Sequence, residues 1–437
     1  MPLVATAAET QQDCLLERVP ERLSKDPLLC EFQTAWSERF GRESYLEAAD
    51  LARRYLSEAE LGGERRAFIL QRLADAQEQS GDVEAARQNY ALAVELLEND
   101  SSDRLDPRLV DPLEGLGRSL LITENAMAAA LALERAAHIS RVAEGPFNVR
   151  QGPIIDELIR AYTRSDRFEQ ALAAQSNKLE SYIRAYGAGD KRVIAGWQQR
   201  GELYASAGLY NEAQQAYKQA IRTVRKQEGF YSPSLLPLLD SMAESYLNHG
   251  MNERLSRIGI AKMYLERKVI IVKKNRDIDP ATRAAVYVQM GNYLQKYSGW
   301  EFAISNYRQA WDELGKLAEA EQRRDAYFAE PAVLIGENYL SENAEQGASQ
   351  SGPGAAEHIE VTLTMDISNY GEPRNIRLDG DSPLPRSTRK RAISIAQKFR
   401  FRPRIVDNAA VETRDRRYTL LVPLDYGSMQ FVSDDKF

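Results

Sequence analysis

Between about residue 65 and residue 317, apolar positions recur at intervals of three and four, the period of helices that each bury one face. The helices come in pairs, and small residues mark each pair. In the first helices these are Ala74, Gly117, Ile159, Gly201, Ala243 and Gly291; in the second, Ala86, Ala129, Ala171, Ala213, Leu255 and Ala303. Both series advance in steps of 43, 42, 42, 42 and 48 residues. Larger residues travel in the same register: Gly81, Tyr90 and Ala93 in the first copy, Leu133 and Ala136 in the second, Tyr162 and Phe168 in the third, Tyr307 and Ala310 in the last. The fullest copy carries Trp197, Gly201, Tyr204, Gly208, Tyr210, Ala213, Tyr217 and Ala220. Gly201 and Ala213 allow two antiparallel helices to close on each other, the aromatic residues fill the space between pairs, and Gly208 supplies the left-handed turn that ends the first helix. One such unit leaves an apolar face bare until another stacks on it, so the repetition predicts a continuous array. The fifth copy departs at Leu255, and the longer step after it predicts a kink or an elongated helix pair between Gly250 and Arg276. Tyr45, Ala48, Ala52 and Tyr55 read as the second helix of a partial earlier copy over Gly41 to Leu61.

From His358 the period changes to two. Ile359, Val361, Leu363, Met365 and Ile367 alternate with polar residues, which predicts a strand with one buried face. Asn369 to Pro373 has turn chemistry, Ile376 and Leu378 begin a returning strand, and Ala392, Ile395, Ala396 and Phe399 share one helical face. Tyr418, Leu420, Val422 and Leu424 form a last strand, so the order is β-β-α-β. The chain is accordingly expected to comprise a lead-in over residues 1–40, an array over 41–317, a connecting segment over 318–357 and a small α+β domain over 358–437. Within the connecting segment, Ala326 to Ile335 reads as a strand or docking segment and Ser341 to Glu357 as a flexible linker, having little to bury.

The residues from Trp197 to Ala220 resemble a tetratricopeptide repeat, a helix-turn-helix unit whose usual period is about 34 residues. The longer step resembles the repeats of kinesin light chains. The resemblance implies a mainly α fold, a right-handed α-solenoid, with a face that binds protein or peptide. Three stretches of the last domain, Val361 to Gly380, the helix that ends in Phe399-Arg400-Phe401-Arg402-Pro403, and Arg417 to Asp425, resemble the C-terminal domain of TonB, the periplasmic energy transducer. That resemblance implies pairing of an exposed strand edge with an extended peptide. The family's membrane anchor, its long Pro-rich segment and its opening Tyr-Pro pair have no counterpart in this sequence.

Composition changes the picture in three places. The net charge of −7 is unevenly shared: residues 358–437 carry 14 Lys/Arg against 11 Asp/Glu, a net +3, which leaves −10 for residues 1–357. Ala5-Thr6-Ala7 has the small-x-small form of a signal-peptidase site, so residues 1–8 read either as the remnant of a secretion signal or as an ordinary terminus. Cys14 and Cys30 are the only cysteines; they read either as one disulfide, worth on the order of 3 kcal/mol, or as two buried thiols. Nothing approaches the ~18 consecutive apolar residues of a membrane-spanning helix.

Catalytic chemistry finds no support. His138, His249 and His358 lack metal-ligand spacing, and no nucleophile elbow, phosphate-binding Gly loop or paired Cys motif occurs. The expectation is no enzyme, no cofactor and no metal. Projecting the repeat onto its binding face selects Gln71, Asp75, Glu78, Glu114, Arg118, Asp156, Arg160, Gln198, Glu202, Asp240, Glu244 and Asn292. Seven of these are acidic and two basic, which favours a basic or neutral peptide, or else a merely solvated wall. The Lys and Asn clamp of the family is missing, so a partner ending in an acidic tail is not expected. Arg386, Arg389, Lys390, Arg391, Lys398, Arg400, Arg402 and Arg404 form the densest basic run. It reads as an exposed helix face and strand edge, or as a surface docked on the acidic wall through the 341–357 tether; limited aromatic interleaving and the acidic whole argue against nucleic acid. These expectations combine into a periplasmic adaptor that binds a protein partner, with no membrane span in this chain. The alternatives are a component of TonB-linked transport to an outer-membrane receptor, and an intracellular scaffold whose last domain caps the array.

Overall fold

The computed structural model describes residues 26–58, 61–249, 254–336, 339–340, 358–379 and 384–423. The readings placed on residues 1–8, on the Cys14–Cys30 pair, on Ser341 to Glu357 and on Leu424 and Asp425 lie outside the described residues. The chain divides into two compact units, Met1–Thr223 and Val224–Phe437.

The first unit is built of helix pairs: α1 (Pro27–Gly41) with α2 (Tyr45–Glu58), α3 (Gly63–Ser80) with α4 (Val83–Asp100), α5 (Val110–Ile122) with α6 (Ala126–Glu144), α7 (Gly152–Arg164) with α8 (Phe168–Tyr186), and α9 (Lys191–Ser206) with α10 (Tyr210–Glu228), whose last residues belong to the second unit. Residue size sets the approach within each pair. A Cβ at Gly117 would lie 2.4 Å from Leu133 Cγ and one at Gly201 2.3 Å from Tyr217 Cε1. Opposite them Ala86, Ala129, Ala171 and Ala213 are fully buried. Gly81 and Gly208 follow their first helices with φ of 89° and 74°. The connections between pairs repeat as well. Asp106, Asn148 and Asp190, 42 residues apart, each accept through the side chain the backbone N–H two residues ahead. These side chains satisfy amides that the helix ladder leaves open.

The second unit continues with α11 (Leu235–Asn248), α12 (Arg254–Lys274), α13 (Pro280–Tyr297), α14 (Trp300–Leu314) and α15 (Ala320–Phe328). At 21 residues α12 is the longest described helix. The register read from sequence needs correction here. The fully buried small residue of α12 is Ala261, which stands 42 residues before Ala303. The additional residues of the fifth copy therefore precede Ala261, and Leu255 is not the counterpart of Ala213. The next pair repeats the glycine seal, since a Cβ at Gly291 would lie 2.5 Å from Tyr307 Cε1.

The charged residues 318–325, at the start of the segment expected to be a connection, and the first residues of the Ala326 to Ile335 stretch expected to be a strand or docking segment largely form α15, whose Phe328 is fully buried with its ring 6.2 Å from Tyr307 and 6.0 Å from Trp311. Strands follow: β1 (Ala332–Ile335), β2 (His358–Ile367), β3 (Pro373–Leu378), then α16 (Arg386–Gln397), β4 (Arg400–Arg402), β5 (Arg404–Val406), β6 (Ala409–Val411) and β7 (Thr413–Pro423). The antiparallel sheet β3-β2-β7 aligns Leu363 with Leu378 on one side and Tyr418 on the other. Val361, Leu363, Met365 and Ile367 of β2 pack with Ala392, Ile395 and Ala396 of α16, as the alternation predicted. Two strand pairs go beyond the predicted β-β-α-β order: β1 pairs with β4, and β5 and β6 form a hairpin through Asp407 and Asn408, both in the left-handed region.

The turn between β2 and β3 seats this sheet on the last helix pair. The Tyr370 carbonyl accepts from Gln295 Nε2 at 2.7 Å, the Tyr370 ring stands edge-on to Trp300, and the Gly371 carbonyl accepts from the Phe401 amide. Gly371 has φ of 77°, and a Cβ there would lie 2.0 Å from Phe401 O. Arg402, on β4, stacks its guanidinium over Phe328.

Candidate functional site

In the first unit, the first helices of successive pairs line two adjoining cavities. One, of about 470 Å³, is bounded by Gln33, Trp36 and Phe40 of α1, by Arg72, Asp75 and Glu78 of α3, and by Arg118 of α5. The other, of about 660 Å³, continues from Glu78 and Arg118 to Leu121 and Ile122, and on to Glu157, Arg160 and Arg164 of α7. Glu78 and Arg118 belong to both and form the wall between them.

That wall is a hydrogen-bonded ionic network. Arg118 donates from Nε and Nη2 to the two Glu78 oxygens at 3.0 and 3.1 Å, and from Nη1 to Glu114 at 3.3 Å. The Tyr90 hydroxyl donates to Asp75 at 2.7 Å and approaches Glu78 at 3.1 Å. Asp75 also accepts from Arg72 at 2.9 Å. Burial, then the Asp75 and Glu78 charges, push the Tyr90 hydroxyl far above the usual phenol range, so it stays a donor. Burial alone would lower the Arg118 pKa, but bonding to Glu78 raises it, and the guanidinium stays charged. Burial raises the Glu157 carboxyl, opposed by the Arg160 charge with which it pairs. The indole of Trp36 stacks on Phe40 with ring centres 4.4 Å apart, and the Arg72 guanidinium lies 5.2 Å from the ring centres of both Trp36 and Phe68.

The structure thus brings Asp75, Glu78, Glu114 and Arg118 together and places Arg160 in the adjoining cavity. Gln71 is elsewhere, in a separate cavity of about 270 Å³ with Glu64, Arg108 and Ala143. Asp156 pairs with Lys178, a buried α8 lysine that also donates to Gln199 at 3.3 Å. Gln198 and Glu202 bond to each other one turn apart. In the second unit the same arrangement recurs: Asp240 pairs with the buried Lys268, and Gln289 Nε2 donates to Asp240 at 2.7 Å. Burial raises the Glu244 carboxyl beside it, and Asn292 accepts from the Tyr307 hydroxyl at 3.1 Å. The carboxylates counted as an acidic wall are therefore largely matched. Sequence reasoning missed the cations that match them: Arg72, Lys178 and Lys268. A signal existed, since Lys178 follows Ala171 by seven residues and Lys268 follows Ala261 by seven.

The basic run does not form one surface. Arg386, Arg389 and Lys390 are exposed on α16, Lys398 just after it and Arg404 on β5 are exposed too, and Arg391 and Arg400 are half-buried. Arg402 turns inward over Phe328, and this burial lowers its pKa. Among the described residues no group of His, Cys, Asp and Glu could hold a metal ion, and no helix is long and apolar enough to cross a membrane.

Neither a protein-family model nor a curated protein matches the chain. Solved structures do. A signal-transduction ATPase with a tetratricopeptide repeat sensor, from Pyrococcus horikoshii, aligns at 14% identity with a TM-score of 0.50, over 73% of this chain and 45% of its own. The kinesin light chain TPR-like repeats of Podosopora anserina align at 18% identity with a TM-score of 0.39, over 48% of this chain and 97% of theirs. The C-terminal part of a TPR repeat-containing protein from Cytophaga hutchinsonii aligns at 12% identity and a TM-score of 0.46, over 67% and 98%. The helical array has the tetratricopeptide-repeat fold.

Proposed function

We propose that the chain is a protein-interaction adaptor, working by binding without chemistry, and that the first-helix face of the first unit captures a segment of a partner protein. The observation that carries this reading is the pair of adjoining cavities separated by the Glu78–Arg118 wall. Because their carboxylates are matched by arginines, the surface is close to neutral, and the segment it suits is uncharged or of mixed charge rather than basic. Trp36, Phe40 and Ile122 offer the apolar contacts, and matched charges at the rim contribute selectivity more than affinity. The test is capture by the full chain against its Ile122→Asp and Arg118→Ala variants, with a photoreactive residue at position 122 to mark what lies there. Crosslinks from 122 to one protein, whose retention both variants lower, support the reading. Equal retention by all three forms removes it.

A second reading rests on the sheet. Among the described residues, the outer edge of β7 carries one bridge, Leu340 with Leu420. This favours a TonB-like role in which an outer-membrane receptor adds an extended segment along β7. Slower hydrogen exchange of β7 amides on adding such a receptor supports it; unchanged exchange sets it aside. A periplasmic location is supported by Ala5-Thr6-Ala7 and by the TonB resemblance, and recovery with cytoplasmic markers on fractionation overturns it in favour of an intracellular scaffold.

A further inference from the structure

Outside the groove, the second unit carries an exposed patch that combines aromatic, aliphatic and basic side chains. It is organised around Arg267 of α12. This guanidinium donates to the Phe230 carbonyl at 2.6 Å and lies over the Tyr231 ring at 4.8 Å, while Arg225, on the last turn of α10, lies over Phe230 at 4.1 Å. Asn275 Nδ2 donates to the Tyr231 carbonyl at 2.7 Å, which holds the loop against the end of α12. One turn to either side of Arg267 stand Met263 and Ile270. Phe230, Tyr231, Met263 and Ile270 are 53%, 45%, 54% and 41% exposed, an unusual concentration of large apolar side chains left to water. Lys273 and Lys274, next along the helix, are exposed as well.

The charge of this element runs against that of the chain. From Arg254 to Lys274 there are seven Lys/Arg and one Asp/Glu, in a protein whose net charge is −7. Lys268 is committed to Asp240 and Lys262 to Glu266; Lys273, whose ammonium also lies 6.0 Å from the Tyr287 ring centre, and Lys274 are exposed at the helix end beyond Ile270. A helix end with exposed apolar side chains ringed by lysine and arginine matches the interface of an anionic bilayer, where rings and aliphatic groups enter the headgroup boundary and cations meet lipid phosphates. An acidic peptide would satisfy the cations but would leave four large apolar groups without a reason to be exposed.

We propose that this patch is a docking surface for an anionic lipid bilayer and holds the adaptor at a membrane surface without spanning it. The test is co-sedimentation of the full chain with phosphatidylcholine vesicles, with and without phosphatidylglycerol, at low and high salt. Two variants separate the contributions: Phe230→Ser/Ile270→Ser removes apolar contact, and Lys273→Glu/Lys274→Glu reverses charge. The expected result is binding only to the anionic vesicles, weakened by salt, with each variant losing on the order of tenfold or more in apparent affinity. All four positions are exposed, and circular dichroism of each variant checks that folding is intact. Absence of binding by the parent chain overturns the proposal. So does binding that survives Phe230→Ser/Ile270→Ser and is competed by a poly-glutamate peptide, which would assign the patch to an acidic protein partner. Because these residues are outside the groove, capture through Ile122 is expected to be unchanged in both variants.

Discussion

The glycine seal of the fullest repeat is the most direct contact to test. A Cβ at Gly201 would lie 2.3 Å from Tyr217 Cε1, where ordinary van der Waals contact begins at 3.4 Å, so the ring must retreat by about 1.1 Å (3.4 − 2.3). Tyr217 is 2% exposed, a ring packed inside the array. Overpacking of this kind costs roughly 1–3 kcal/mol. Against it stands the helix propensity of alanine over glycine, about 1 kcal/mol. Because the obstructing group is a buried ring, Gly201→Ala is expected to be destabilising, by up to roughly 2 kcal/mol net. Gly259, in α12, is the matched control: it too is helical, but a Cβ there meets nothing within 4 Å. Gly259→Ala should therefore gain up to about 1 kcal/mol. Guanidinium denaturation of the full chain reads the two signs. Amide hydrogen exchange places each effect, in α9 and α10 for the first variant and in α12 for the second, which matters because repeat arrays need not unfold as one unit. Tyr217→Leu in the Gly201→Ala background should recover part of the loss, giving a favourable coupling in the double-mutant cycle. If Gly201→Ala is as stable as Gly259→Ala, the packing account of the repeat is wrong.

Two further outcomes follow from the second unit. Burial, and then the Asp240 charge, raise the folded pKa of Glu244 above its ordinary 4.5, with Lys268 opposing. A carboxyl raised on folding contributes stability that is fully present below about pH 4.5 and is lost as pH rises through the higher folded value. Glu244→Gln should then be at least as stable as the parent at neutral pH and show a flatter dependence above pH 4.5, checked by denaturation midpoints across that range; a parent chain that gains stability as pH rises there, by an amount the variant lacks, refutes it. Gly371→Ala places a Cβ 2.0 Å from the Phe401 carbonyl at a left-handed φ of 77°. It should cost roughly 3 kcal/mol or more and strip exchange protection from β2 and β4, leaving α3 to α8 unchanged.

Much of this architecture was legible in the chain because burial in helices and strands is periodic and local. The 42-residue step, the sealing glycines and alanines, the left-handed Gly208 and the alternation from Ile359 to Ile367 all concern residues whose neighbours lie within one or two turns or one strand. Asp106, Asn148 and Asp190 were equally legible, and their regular spacing went unread. The charged residues were another matter. Glu78 and Arg118 stand on successive first helices, 40 residues apart, but that Arg118 reaches back to Glu78 and Glu114 rather than outward depends on the direction of a long flexible side chain. Counting carboxylates along one face gave an acidic wall, and the second helices supplied Lys178 and Lys268 from beneath it.

By itself, then, the sequence determined a tetratricopeptide-type array followed by a small α+β domain, since propensity, period and turn chemistry all agree over those stretches. Tertiary structure decided the rest. Full burial, 42 residues before Ala303, identifies Ala261 as the small residue of the fifth copy. Phe328 makes α15 out of a charged stretch by packing against Tyr307 and Trp311, Arg402 leaves the basic surface to stack on Phe328, and Tyr370 and Gly371 turn a hairpin loop into the seat of the sheet. The physical reason is common to all of these. Each depends on a surface that exists only once distant segments have packed, and no local pattern of apolar and polar residues encodes what a side chain meets there.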